Sequence, residues 1–553
     1  MSFKTFTLLH MNLIMLLLLL TSGFQCKKEA PYDAGLKAEV IEFRQERIPL
    51  FVGRENPEPV LLKMNVVADA QPLRLTEIEI VFSSGSELKG IAGFSAGHTS
   101  ATGSSLLRLS GSMTLNNEKA VLKTSADLGT GSHFLNFGFD LKENASLLTR
   151  FRIEKIMVHF SNHETVAVTP ESTFTYRLAR VVRAAGQDNC DTYRIPGLVT
   201  TGKGTLIAVY DNRYNNSKDL QEDIDIGMSR SIDGGETWEP MKVIMDMGEW
   251  GSRPERLNGI GDPAVLYDHT TGTIWVAALW MSGSAPDQML WWASKPGMSP
   301  EETGQFILVK STDDGLTWSD PINITSQIKD PAWQLLLQGP GAGITLKDGT
   351  LVFPAQFKKD TGEKALDGGQ YTCHSTIVYS KDGGNTWKIG TGAKSNTTEA
   401  QVAQLSDGSL MLNMRDDRNR KDKGDTNGRA VAITRDLGKT WETHQSSNSA
   451  LPEPNCMASL IAAEVSSEGT SRQVLFFSNP NHKETRTNMT IKASLDQGKT
   501  WPSDLQVELF APAGYGYSCL TMVDDDTVGI LYEGTKELYF QKVSVRDILG
   551  TNP

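Results

Sequence analysis

Ser231-Ile232-Asp233-Gly234-Gly235-Glu236-Thr237-Trp238 decides how this chain folds, because the pattern Ser/Thr-x-Asp-x-Gly-x-Thr-Trp returns four more times, at residues 311–318, 380–387, 434–441 and 494–501. The aspartates stand at 233, 313, 382, 436 and 496, so the intervals are 80, 69, 54 and 60. Five copies of an eight-residue pattern make a structural repeat. The residue types suit a tight turn: Asp and Ser/Thr oxygens cap backbone N–H groups, Gly takes a positive φ, and Trp plugs into a neighbouring core. Short apolar runs lie beside the copies, such as Thr205-Leu-Ile-Ala-Val-Tyr210 and Thr376-Ile-Val-Tyr379. One such turn per roughly 60 residues, between short strands, predicts a β-propeller of four-stranded blades. Residues 180–545 accommodate six blades of about 60 residues, one of them without the turn. An aspartate repeated around a ring cannot supply five catalytic acids to one axis, so the turns are structural.

Ahead of the repeats, residues 27–178 lack the pattern. Leu75-Thr-Glu-Ile-Glu-Ile-Val-Phe82 and Phe151-Arg-Ile-Glu-Lys-Ile-Met-Val-His-Phe160 alternate with period two, as half-buried strands do. They predict a β-sandwich, carbohydrate-binding-like in character, that either binds sugar or packs against the propeller. The expected class is therefore all-β.

Composition narrows the function. The 553 residues carry 54 Lys plus Arg against 66 Asp plus Glu, a formal charge of −12. That argues against a nucleic-acid binder, which needs a basic face, but leaves room for a small anion held by a few local arginines. Cys26, Cys190, Cys373, Cys456 and Cys519 are too few and too scattered for a disulfide framework, although a single bridge is compatible with them. No Cys or His spacing suggests a metal site. Residues 1–25 have one cation, Lys4, then an apolar run from Leu13 to Leu20 and Thr21-Ser22-Gly23, the pattern of a secretory signal peptide. The protein is expected to be exported, to the periplasm, the cell surface or the medium. Cys26 directly follows and is either acylated as a lipid anchor or incidental.

Tyr193-Arg194-Ile195-Pro196-Gly197-Leu198 opens the repeat region, and the Ile-Pro step predicts extended chain after the arginine. Asp211-Asn212-Arg213 ends the next apolar strand, and Asp219 follows in a polar loop. The Arg-Ile-Pro element together with repeated Asp turns resembles the exo-sialidases (neuraminidases) of six-bladed propeller type. The resemblance covers residues 180–545, and the preceding domain is similar to the sandwich of Bacteroides-type members. It implies an arginine triad of Arg194, Arg415 from Leu412-Asn413-Met414-Arg415, and Arg486 after Asn479-Pro480. It further implies Glu399 of Thr398-Glu399-Ala400-Gln401 and Tyr517 of Gly516-Tyr517-Ser518-Cys519 as the catalytic pair, with Tyr515 the rival tyrosine. Asp219 is implied as acid/base, with Arg213 and Asp262 of Gly261-Asp262-Pro263 lining the pocket around the sugar's 4-hydroxyl side. Asp416, Asp417, Arg418 and Arg420 are read as structural or solvated.

These residue types fit sialic acid, which carries a carboxylate on its anomeric carbon. Three guanidiniums give it charge-assisted contacts. A carboxylate nucleophile would be repelled by that anion, whereas tyrosine, with an ordinary pKa of about 10, is neutral until a base takes its proton. The implied activity is a retaining exo-α-sialidase acting on sialylated glycans as a monomer, with no metal or cofactor. Two alternatives stand beside it. One is a sialoglycan-binding propeller without catalysis, against which the intact Tyr, Glu and Asp speak. The other is a transferase or intramolecular variant with the same catalytic set.

Overall fold

The computed structural model describes residues 38–550 apart from 69–71, 101–105, 117, 286–287 and 468–469. The expected signal peptide and Cys26 lie outside the described residues. Among those described, helices are confined to short turns, and none is long and apolar enough to cross a membrane. Cys190, Cys373, Cys456 and Cys519 are buried free thiols.

Two five-stranded antiparallel sheets occupy the first part of the chain. One runs in the order Ala38–Gln45, Val60–Val66, Gly131–Leu141, Ile91–Ser100, Leu107–Arg108. The other runs Thr165–Val168, Ile153–Phe160, Leu73–Phe82, Lys119–Leu128, Gly111–Leu115. Alternation decides which face turns inward: along Val60–Val66 every second side chain is buried. Val60, Leu62 and Met64 of one sheet share a core with Ile78, Ile80, Ile156 and Val158 of the other.

Among the described residues six further sheets follow, built mainly of antiparallel strands such as Thr192–Thr200, Leu206–Arg213, Ile224–Ser231 and Lys242–Met245. Strands such as Leu206–Arg213, Ile224–Ser231 and Thr273–Trp280 are buried along their whole length because each sheet is covered by its neighbours, whereas outer strands such as Lys242–Met245 are partly exposed. Val209 and Ile226 of the first pack on Val265 and Val276 of the second, and separate apolar clusters join each later sheet to the next. The last sheet returns to the first through Phe540 and Leu531 against Leu198 and Ala208. That sheet combines the end of the chain with its beginning: Tyr176–Arg183 pairs antiparallel with Leu538–Ser544, Ala179 opposite Gln541. The architecture is that of a β-propeller. The first two sheets are fastened to it, since Leu50–Phe51 adds in parallel to Leu178–Ala179 and one apolar cluster runs from the early sheets into Tyr193 and Tyr210.

The repeated turns do what their residue types require. In the copy at 380–387, Asp382 accepts from the Thr386 N–H (2.9 Å) and hydroxyl (2.6 Å) and from the Ser380 hydroxyl (2.8 Å), while Ser380 accepts from the Gly384 N–H (2.9 Å). Trp387 is buried against Trp275 of the preceding sheet, ring centroids 6.0 Å apart. Glycine is needed at 384 for two reasons. Its φ is 85°, and a Cβ there would stand 2.4 Å from the Trp275 ring.

Gly384→Ala is therefore expected to lower stability by about 1–3 kcal/mol, combining left-handed strain with displacement of a packed indole. Thermal denaturation should show a midpoint several degrees lower, with catalysis per folded molecule unchanged.

Candidate active site

In each antiparallel pair, the start of the inner strand and the end of the next strand lie on the same edge of the sheet. The register shows this: Arg194 faces Asp211, and Thr397 faces Asp416. Charged residues that terminate apolar strands thus gather at one mouth of the propeller. Irregularities aim them inward. The pairing slips between Arg194 and Gly197, between Gly261 and Ala264, and between Thr397 and Ala400, each slip beside a site residue. Ile195 has φ 58° and Asp262 φ 59°. The extended chain expected after Arg194 is thus corrected: the residue before Pro196 is turned to positive φ by the bulge, a strained state for a β-branched side chain.

A cavity of about 410 Å³ opens at this mouth, lined among others by Arg194, Asp219, Asp262, Glu399, Arg415, Arg486 and Tyr517. The Tyr517 hydroxyl donates to Glu399 Oε1, and Arg415 Nη1 reaches Glu399 Oε2 at 2.6 Å and the Tyr517 oxygen at 3.3 Å. Burial pushes the phenol well above its ordinary pKa, and the Glu399 charge adds to that. For Glu399 burial acts upward, but Arg415 and the Tyr517 hydroxyl outweigh it and hold the carboxyl below its usual range. The resting pair is a neutral phenol hydrogen-bonded to an ionised carboxylate. Tyr515 lies apart from this pair, its ring 4.6 Å from the Arg194 guanidinium carbon and its carbonyl accepting from Arg486 Nη1 at 2.8 Å.

The three arginines are held differently. Arg194 donates from Nε to Glu533 (3.1 Å) and from Nη1 to Asp219 (3.2 Å). Arg415 donates to Glu399 and, from Nη2, to Asn455 Oδ1 (3.0 Å). Arg486 donates to two main-chain carbonyls, those of Tyr515 and Asn455 (3.3 Å).

Asp219 takes Arg213 Nη1 at 2.8 Å as well as Arg194. Burial would raise its carboxyl, but Arg213 and then Arg194 overcome this and keep it below the ordinary carboxylate range. Arg213 itself is corrected from a pocket-lining position. It stands fully buried behind the wall, joined to Asp211 (2.8 Å) and Asp219, and does not line the cavity. Asp262 does line it, and its N–H donates to Asp211 at 2.9 Å. Burial and the facing Asp211 push the Asp262 carboxyl well up, and burial lifts Asp211 to about 6.

Several wall and support residues escaped the sequence reading. Arg420, expected on a solvated face, reaches the cavity wall while paired to Asp417 at 3.1 Å. Glu533, fully buried, accepts from Arg194 Nε, from the Ile195 N–H (2.9 Å) and from the Tyr517 N–H (2.8 Å). Its only sequence signal was a charge ending the apolar run Gly529-Ile-Leu-Tyr-Glu533, the same signature as Arg415. Asp416 and Asp417 are structural, Asp416 capping a short turn by accepting from the Arg418 N–H.

A BNR repeat-like domain model matches residues 195–502. A sialidase from Bacteroides fragilis is 42% identical over 538 residues, 93% of this chain and 96% of its own. The chain belongs to the sialidase family. It is a glycoside hydrolase of the exo-α-sialidase class and resembles the Bacteroides type. The structure of the Hadza microbial sialidase Hz136 superposes with a TM-score of 0.79 at 40% identity, covering 92% of this chain and 99% of that one. A sialidase from Micromonospora viridifaciens is 31% identical over 352 residues, 63% of this chain and 50% of that protein.

Glu533 generates a test within this sialidase framework. Glu533→Gln keeps an acceptor for Arg194 and the Ile195 N–H, which share one oxygen, but turns an N–H donor toward the Tyr517 N–H. The loss of a charge-assisted contact and the orphaned donor are each worth about 1–3 kcal/mol. The variant should melt at lower temperature and lose at least about tenfold in kcat/KM on an aryl sialoside. Wild-type kinetics would show that Arg194 is held without the charge on Glu533.

Proposed function

We propose that the protein is a retaining exo-α-sialidase that releases terminal sialic acid from glycoproteins, glycolipids or oligosaccharides through a glycosyl-tyrosine intermediate. The observation that carries this reading is the Tyr517–Glu399 hydrogen bond, set in a cavity whose wall bears three guanidiniums. The sialic acid carboxylate is held by Arg194, Arg415 and Arg486, which orients the anomeric carbon over Tyr517. Glu399 takes the phenolic proton as the oxygen attacks, and Asp219 protonates the departing glycosidic oxygen. Water, deprotonated by Asp219, then cleaves the sugar–tyrosine bond and Tyr517 recovers its proton from Glu399. Two displacements at one carbon retain its configuration. Asp262 faces the sugar's 4-hydroxyl side, with Arg213 acting behind it through Asp211. The positive charge this reaction needs comes from the arginines, so no metal or cofactor enters it.

The same reading takes the six consecutive sheets as six blades over residues 180–545, and residues 27–178, which contain the two earlier sheets, as a β-sandwich domain that packs against the propeller. It takes residues 1–25 as an export signal, with Cys26 a candidate for lipid attachment, and the enzyme as a monomer.

Release of free sialic acid from a fluorogenic aryl α-sialoside in EDTA tests the assignment. Wild type should turn over, and Tyr517→Phe should lose on the order of 10³-fold in kcat while still binding substrate. Unchanged turnover in the variant would discard Tyr517 as nucleophile and bring Tyr515 forward. No turnover by folded wild type would favour a sialoglycan-binding propeller, and an anhydro sugar or transfer to lactose would mark the intramolecular or transferase variant.

Asp219→Ala separates the acid from the nucleophile. The loss should be about 10²–10⁴-fold on natural sialosides, whose leaving groups need a proton, and much smaller on activated aryl sialosides. Equal losses on both substrates would remove Asp219 from the role of acid.

A further inference from the structure

Beneath the cavity runs the segment Glu453-Pro454-Asn455-Cys456-Met457, which connects Glu442–Thr443 to Ser459–Ser467. No step above uses it, yet it is densely hydrogen-bonded. Glu453 is fully buried and accepts from the Asp416 N–H (2.8 Å), Asn419 Nδ2 (2.6 Å), Arg429 Nη1 (3.0 Å) and the Cys456 N–H (3.4 Å). Arg429, also fully buried, donates from the same nitrogen to the Cys456 carbonyl at 2.6 Å. A carboxylate satisfied by this many donors fixes the backbone around it.

The anchored segment presents Asn455. Only 6% of it is exposed, and its φ is 56°, a conformation that asparagine tolerates better than most residues. Its amide nitrogen donates to the Asp416 carbonyl (3.1 Å) and the Asp417 carboxylate (3.3 Å). Both are acceptors, so the amide oxygen must point the other way, where it accepts from Arg415 Nη2 at 3.0 Å. The main-chain carbonyl of the same residue accepts from Arg486 Nη2 at 3.3 Å. One residue therefore holds two guanidiniums that arrive from different sheets.

We propose that Asn455 is a positioning residue that sets the spacing of Arg415 and Arg486 for the substrate carboxylate, and that it does so as an uncharged acceptor. The inference rests on the sialidase reaction proposed above. Neutrality follows from the local charges. Arg415 already faces the Glu399 carboxylate, and a second anion at 455 would compete with the substrate for the same guanidinium. Both Nη atoms of Arg486 go to main-chain carbonyls. An amide and a carbonyl orient the two cations while leaving a net positive charge for the ligand.

Two variants isolate the effect. Asn455→Gly keeps the positive φ and the carbonyl to Arg486 but deletes the contact to Arg415. Asn455→Asp keeps the shape and the acceptor for Arg415 but adds a charge and replaces the amide donor to the Asp416 carbonyl and Asp417 carboxylate by an oxygen. Both would be compared with wild type for kcat and KM on a fluorogenic aryl α-sialoside, for the Ki of the 2,3-unsaturated analogue of sialic acid, which retains the carboxylate, and for thermal midpoint. KM and Ki should rise about tenfold in Asn455→Gly, the size of one charge-assisted hydrogen bond, and further in Asn455→Asp. kcat should fall by less than KM rises, because the carboxylate contact is common to ground and transition states. Wild-type KM and Ki in a folded Asn455→Gly, or a change confined to its melting, would overturn the positioning role. Inhibitor binding by Asn455→Asp as tight as by Asn455→Gly would overturn the requirement for a neutral acceptor. Should the glycine variant not fold, unaltered KM and Ki in Asn455→Asp overturn the proposal on their own. Absence of sialoside turnover by folded wild type would instead defeat the reaction on which the inference rests.

Discussion

Glu533 is the point at which the fold and the site depend on each other. Its buried carboxylate ties the Arg194 guanidinium, the Ile195 N–H and the Tyr517 N–H into one unit. Arg194 and Ile195 belong to the first sheet of the ring, whereas Glu533 lies on Thr527–Glu533 of the last and Tyr517 directly precedes that sheet's strand Ser518–Asp524. The strand Tyr176–Arg183, which runs just ahead of the first sheet, pairs with Leu538–Ser544 of the last and so completes the ring. Closing the ring and bringing an arginine to the tyrosine are thus one event. The positive φ of Ile195 belongs to the same arrangement, since the bulge turns its N–H onto Glu533 and its strain is borne by that hydrogen bond.

Charge in the cavity is arranged so that each cation has a partner of graded strength. Arg213 is fully committed to Asp211 and Asp219 and stays behind the wall. Arg194 is shared between two carboxylates, the buried Glu533 and the exposed Asp219, and Arg415 faces one, Glu399. Arg486 is held by carbonyls alone. A site built wholly of ion pairs would offer an anion little, and unpaired guanidiniums would repel one another and unfold the mouth. The graded arrangement keeps the three guanidiniums close while leaving capacity for one more carboxylate. This also explains how an acidic chain can present three guanidiniums in one pocket.

How much of this is legible in the sequence depends on the range of the contact. The Asp turns are local: Ser380, Asp382, Gly384 and Thr386 satisfy one another within seven residues, so their pattern is complete on the page. Tyr517 and Glu399 lie 118 residues apart and are identifiable only through their resemblance to a family motif. Glu533, Asn455 and Arg420 carry no motif, and their roles appear only when distant strand ends meet. Arg213 shows the opposite error. Its type and place in the chain suggest a ligand contact, but a strand residue's side depends on pleat and register, which placed it behind Asp211. The Ile-Pro step misleads similarly, because a bulge set by long-range hydrogen bonds overrides the local preference.

The state of Asp219 makes the proposed reaction self-timing. Its carboxylate faces both Arg213 and Arg194 and is held ionised, the wrong form for a general acid. In the proposed complex the sialic acid carboxylate engages Arg194, which then shares its charge between two anions, and the ligand displaces water from around Asp219. Both changes raise the affinity of Asp219 for a proton. In the proposed reaction substrate binding thus prepares the acid, and loss of sialic acid returns Asp219 to its ion pairs. Arg213, fixed behind the wall by Asp211, limits the rise, so the residue can still give its proton to the glycosidic oxygen and take one back from water.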